Sequence, residues 1–266
     1  MRYILALCLF IASTSLAHGH IAPLPESVVT NAFAGREGTL VLIDSSSGAI
    51  SIFRPQVAAE QLPPCSTFKI WNTLIGIEAG IVASPDQVFY QWDGEKRLIP
   101  AWNRDLTLLE AFQTSCVPAF QNLARQIGAD RMQSWIEKID YGNRDTSAGV
   151  DVFWLPEKSR KTILISPAEQ AQLMNKLVTG KLPFSKASLA VLKTLMIVKK
   201  TDKGVLFGKT GSGTNDRGTY VLGWFVGFLE TGGKTYVFAC AAQGQNIMSK
   251  DARVIVEAVL EKQGYL

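Results

Sequence analysis

Histidine is almost missing from this chain. Its 266 residues include two, His18 and His20, both close to the N-terminus. A serine or cysteine nucleophile elsewhere in the chain has no imidazole to take its proton, and a zinc hydrolase site is not expected. Cysteine is scarce too: there are four, and the spacing of Cys65, Cys116 and Cys240 does not match a metal-binding pattern. The net charge is only +4. No stripe of lysine and arginine interleaved with aromatics is present, so nucleic acid is not an expected partner. No apolar run is long enough to span a bilayer, and there are no internal repeats or low-complexity tracts.

What is present fits a folded globular protein, 47% hydrophobic and 19% charged. The first residues have the layout of an export leader: Arg2, an apolar run from Tyr3 to Ala12 broken only by Cys8, then Ser15-Leu16-Ala17 at the usual cleavage positions. The expectation is a signal peptide over residues 1–17 and a single mature domain over residues 18–266, secreted or periplasmic. That mature chain keeps three cysteines in a compartment that permits disulfides, so at least one is unpaired.

The strand signals lie at the two ends. Thr39 to Ile43, a turn over Ser45 to Gly48, and Ile50 to Phe53 read as a hairpin. Val205 to Gly208, Tyr220 to Leu229 and Thr235 to Ala242 read as strands, with turns at Gly211-Gly213 and Gly232-Gly233, before a closing helix over Ala252 to Glu261. The middle reads as helical: from Ser66 towards Gly80, Leu106 to Phe112, Val117 to Ile127, and Asp130 to about Ile139. Ser166-Pro167-Ala168-Glu169 has the signature of a capped helix start. The expected class is α+β: one antiparallel sheet built from both chain ends and flanked by helices, with an all-helical subdomain over about residues 67–200 inserted between the sheet segments.

Without histidine, a base for a serine nucleophile must come from lysine. Ser66 and Lys69 stand one helical turn apart in Pro64-Cys65-Ser66-Thr67-Phe68-Lys69, on one face of a helix whose positive end favours developing negative charge. Alone, such a pair is as well explained by a capping serine and a solvated lysine. Lys209-Thr210-Gly211-Ser212-Gly213 follows a strand signal, where a lysine beside glycines can hold a carboxylate or simply open a hairpin. Ser115-Cys116-Val117 marks a helix junction, and Tyr141-Gly142-Asn143 a tight turn.

Taken together and in this order, these motifs resemble the class D β-lactamases, the oxacillinases, across essentially the whole mature chain. The matching residues are Ser66/Lys69, Ser115/Val117, Tyr141/Asn143, Trp154, Lys209 to Gly211, and Trp224-Phe225-Val226-Gly227. The resemblance implies a serine hydrolase of the β-lactamase and penicillin-binding-protein fold that acts on β-lactams and takes part in antibiotic resistance. By that resemblance Ser66 is the nucleophile, and Lys69, N-carboxylated by CO2 (bicarbonate), is the general base. Ser115 relays the proton to the departing nitrogen. Lys209, Thr210 and Arg253 meet the substrate carboxylate, and the backbone N–H groups of Ser66 and Ser212 form the oxyanion hole. Phe68, Val117, Tyr141 and Asn143 line the pocket, and no metal takes part. The physics agrees with the base: a free lysine amine titrates near about 10.4, burial lowers that value, and only the neutral amine attacks CO2. Phe68, Val117 and Trp154 are the expected apolar lining, and the Trp154 indole N–H is a candidate donor to the carbamate.

The resemblance leaves two other functions to weigh, a β-lactam sensor that stays acylated and a D,D-peptidase that uses the bare lysine. It also exposes departures. The stretch from Leu155 to Thr162 is longer and more basic than is common in the family. Cys65 and Cys116 sit inside motifs that line one cleft there, so they either form a disulfide or stand as two buried thiols.

Overall fold

The computed structural model describes residues 24–157 and 160–266; the expected leader lies outside them. Helix α1 (Glu26–Phe33) leads into strands β1 (Glu37–Asp44) and β2 (Ile50–Phe53), then a short helix α2 (Pro55–Ala58). Helix α3 (Lys69–Glu78) follows, then the short strands β3 (Val88–Tyr90) and β4 (Leu106–Thr107). Next come α4 (Leu108–Gln113), α5 (Val117–Ile127), α6 (Ala129–Lys138), α7 (Pro167–Val178) and α8 (Lys186–Met196). The chain closes with β5 (Ile197–Lys200), β6 (Gly204–Thr214), β7 (Tyr220–Thr231), β8 (Lys234–Gln243) and α9 (Ser249–Lys262).

Six strands form one antiparallel sheet in the order β2-β1-β8-β7-β6-β5, and β3 pairs with β4 apart from it. The two chain ends meet where β1 pairs with β8, from Glu37 opposite Gln243 to Asp44 opposite Tyr236. Alternation along β1 divides its side chains between two cores. Val41 and Ile43 face the larger one, shared with α3, α5 and α7; Leu40 and Leu42 face a smaller one closed by α1 and α9. The sheet is thus sandwiched, as the α+β expectation requires.

Three local expectations change. Leu106-Thr107 is not helical: it pairs with β3, and Thr107 caps α4 through a capping box with Glu110. Ser66 does not open an α-helix but lies in a 3₁₀ turn over Cys65–Phe68, with α3 starting at Lys69. Since side chains three apart eclipse in a 3₁₀ turn, Ser66 and Lys69 still share a face. Gly211 and Gly213 lie inside β6 rather than in a turn. The reversal comes later, where the Asn215 side chain accepts from the N–H groups of Arg217 and Thr219.

Candidate active site

The chain reaches Ser66 through two prolines and a residue under strain. Cys65 has φ +51°, and Ser115 across the site has φ +57°. A non-glycine residue in this left-handed region costs on the order of 1–3 kcal/mol, and such residues cluster where function fixes the backbone. The surroundings hold the turn. The Trp224 indole, on β7, donates to Pro63 O over 2.9 Å, and Leu62 pairs with Ile165 just ahead of α7. Strand β6 runs close alongside. A Cβ on Gly211 would lie 3.1 Å from Ser66 N and 3.2 Å from Pro64 O, and one on Gly213 would lie 3.0 Å from Cys65 Sγ. Glycine at these positions lets β6 approach the Ser66 backbone.

Lys69 is fully buried, and its Nζ donates to Ser66 Oγ over 2.7 Å. Burial pulls the amine down from its usual range to about 7, opposed by attraction to Cys116 and Cys65 if they ionise. Those thiols do little to restore the charge at neutral pH, because burial raises both, Cys65 to about 12. The Nζ also lies 5.5 Å from the Phe120 ring centroid. Phe68 packs near-parallel to Trp154 at 5.5 Å and edge-on to Tyr141 and Phe153. Trp154 is wholly buried, and its Nε1 has no hydrogen-bond partner. Such a donor is costly to leave unmet.

Ser115 is the middle residue of the α4–α5 link, and Val117 opens α5, half-buried. Lys209 Nζ donates to Ser115 Oγ over 3.0 Å and to Thr210 O over 2.9 Å. Its amine is pushed well below its usual range by burial first and by Lys69 second. Lys209, Thr210 and Arg253 line one cavity of about 280 Å³ with Phe112, Gln113 and Phe225. Lys209 therefore joins this cavity to the Ser115 hydroxyl. Arg253 is steadied by its Nε bond to Glu257, 2.8 Å.

Two expected site residues are occupied elsewhere. The exposed Asn143 does not line the pocket: its Oδ1 accepts from Leu164 N and Asp145 N, and its own N–H donates to Leu164 O. It staples the Tyr-Gly-Asn turn to the chain ahead of α7. Ser212 Oγ accepts from Ser249 N, tying β6 to α9, so only its backbone faces the Ser66 side. Tyr141 is fully buried with its hydroxyl unpartnered. Cys65, Cys116 and Cys240 are all free and buried, so the thiol alternative holds over the disulfide. Among the described residues no cluster of three or more potential metal ligands occurs, and no helix is long and apolar enough to cross a membrane. Sequence reading missed the buried Gln170 of α7, which bonds Thr67; its place just after the capped start Ser166-Pro167-Ala168-Glu169 carried no signal of that role.

Residues 35–262 match the penicillin binding protein transpeptidase domain family. The probable β-lactamase YbxI of Bacillus subtilis is 36% identical over 254 residues, 96% of this chain and 91% of that one. A crystal structure of a class D β-lactamase from Bacillus subtilis superposes with a TM-score of 0.82 at 37% identity, covering 90% of this chain and 96% of the other. The regulatory protein BlaR1 of Bacillus licheniformis is 31% identical over 85% of this chain, which spans 37% of its length. The family match, the identity over nearly the whole chain and the superposition agree with the motif order and with the Ser66–Lys69 pair, and this chain belongs to the class D β-lactamases, serine hydrolases within the penicillin-binding-protein transpeptidase family.

Proposed function

We propose that this protein hydrolyses β-lactam antibiotics through an acyl-enzyme on Ser66, with Lys69 carboxylated by CO2, and that it confers resistance outside the cytoplasm once residues 1–17 are removed. One observation carries the reading: a fully buried amine that loses its proton near pH 7 lies 2.7 Å from a serine hydroxyl, with no histidine among the described residues. Two features fit a carbamate, Trp154 being stacked on Phe68, the residue before Lys69. The unpartnered Trp154 Nε1–H is a buried donor for an anion, and the apolar rings keep the amine neutral, the form that attacks CO2. When present, the carbamate supplies the general base for acylation and deacylation.

The chain's own groups account for the remaining steps. Ser66 Oγ attacks the lactam carbonyl, and the N–H groups of Ser66 and Ser212 donate to the oxygen that becomes negative. The Ser115 hydroxyl, backed by Lys209 Nζ, passes a proton to the departing lactam nitrogen. Lys209, Thr210 and Arg253 hold the substrate carboxylate at the cavity they share. Phe68, Val117 and Tyr141 wall the site.

Below about pH 7 a shrinking fraction of the amine is neutral, so carboxylation becomes partial and depends on the supply of CO2. Stripping bicarbonate at mildly acidic pH is therefore expected to lower turnover about tenfold or more, and adding bicarbonate to restore it. A carbamate carbon signal is expected by NMR with labelled CO2. Indifference to bicarbonate together with no such signal rejects the base. The likeness to BlaR1 supports a second reading, a sensor that is acylated and stays so. Many cycles of nitrocefin hydrolysis reject the sensor, whereas one stoichiometric burst supports it.

A further inference from the structure

The turn that carries Ser66 is tied to α7 by a buried hydrogen bond that plays no part in the steps above. Gln170 is 1% exposed and Thr67 0%. Gln170 Nε2 donates to Thr67 Oγ1 over 3.1 Å, with Gln170 Oε1 3.4 Å from the same oxygen. The Thr67 hydroxyl donates onward to Pro64 O over 2.7 Å, and Thr67 N–H reaches the same carbonyl over 3.2 Å. A chain of polar contacts thus runs from the middle of the protein to both sides of the nucleophile.

Between Pro64 and Ser66 lies Cys65, in the left-handed region. A strained residue persists only where its neighbours over-determine it. Trp224 grips Pro63 from β7, and β6 presses on the turn through Gly211 and Gly213. Gly211 also lies against the Thr67 backbone N, but neither contact reaches the Thr67 hydroxyl, which Gln170 hydrogen-bonds. Releasing its amide would leave a buried donor unmet, so the tie resists rotation of the turn. We propose that Gln170 is a positioning residue: through Thr67 and Pro64 it fixes the strained turn, aiming Ser66 Oγ at the acyl carbon and Ser66 N–H at the developing oxyanion. The inference rests on the reading of Ser66 as nucleophile.

Gln170→Met removes the donor at similar length. Thr67→Val removes the hydroxyl and keeps the shape, and Thr67→Ser keeps the hydroxyl. Single-turnover stopped flow with nitrocefin separates the acylation rate from the apparent dissociation constant, and the rate is followed against pH. Gln170→Met and Thr67→Val are each expected to slow acylation about tenfold, with the dissociation constant within about twofold. Thr67→Ser should keep more of the rate than Thr67→Val. The midpoint of the pH–rate profile should stay in place, because neither residue touches Lys69 Nζ. The double variant should be no slower than the slower single one, as expected for one shared interaction.

Acylation within about twofold of the unsubstituted protein overturns the proposal. So does a displaced pH midpoint, which would mean that the tie acts on the Lys69 environment, and so do additive losses. If Gln170→Met does not fold, the Thr67→Val and Thr67→Ser comparison decides alone. An unsubstituted protein that forms no acyl-enzyme removes both the nucleophile and its positioning, whereas fast acylation in every variant removes the positioning only.

Discussion

Lys69 sets a price on the folded state. Burial brings its amine to about 7, while in the unfolded chain the same amine holds its proton to about 10.4. Between those values the unfolded chain binds more protons, so stability rises with pH across that window; below it both states are protonated and the cost is full. In bicarbonate-free buffer, Lys69→Met is expected to abolish turnover and to stabilise the fold at neutral pH by a few kcal/mol. Urea unfolding at a series of pH values checks this: the gain should fade as the pH approaches about 10, and a gain independent of pH contradicts it. Ser66, Lys69, Ser115 and Lys209 were legible in the sequence because their reactivity belongs to the residue type and the motif order fixes the company they keep. Asn143 and Gln170 were not. Asn143 acts on Leu164, 21 positions away, and Gln170 on Thr67, 103 away; no short window contains both partners.

Helices were read more easily than strand ends, for a reason visible in particular elements. The capping box at Ser166 is local, with Ser166 and Glu169 exchanging side-chain and backbone bonds within one turn, so α7 begins where the sequence suggests. The glycines of β6 looked like a turn because what they accommodate is the distant Ser66 backbone. Thr107-x-x-Glu110 carried the same capping signal as Ser166 and, read that way, separates β4 from α4. Gly142 shows how strict such close approaches are. It has φ +49°, and a Cβ there would lie 1.9 Å from Leu164 O. Gly142→Ala is expected to destabilise the protein by about 2–4 kcal/mol, since a backbone carbonyl has nowhere to go. The shift in the urea midpoint measures this, and a loss under about 0.5 kcal/mol would show that the turn relaxes freely.

At the scale of the whole molecule, the two cores share one sheet, and the smaller depends on the last helix. Ala252, Ile255, Val256, Val259 and Leu260 of α9 are buried against it. Each large apolar side chain contributes about 1.5–3 kcal/mol on burial, so their sum rivals the roughly 5–15 kcal/mol stability of a typical domain. Removing residues 249–266 is expected to leave a chain with no cooperative thermal transition by circular dichroism and no nitrocefin turnover. A sharp transition in that truncated chain would show that the larger core stands alone. The α+β class was legible because strand signals lie at both ends with helices between. The strand order was not, because nothing in the pattern of β1 names β8 as its neighbour.

The ladder between β1 and β8 joins residues 37–44 to 236–243. A ribosome that has released the first two hundred residues has therefore made β1 and β2 but not the strand that must lie beside them. The sheet can zip shut only near the end of synthesis, once residues 236–243 have been made.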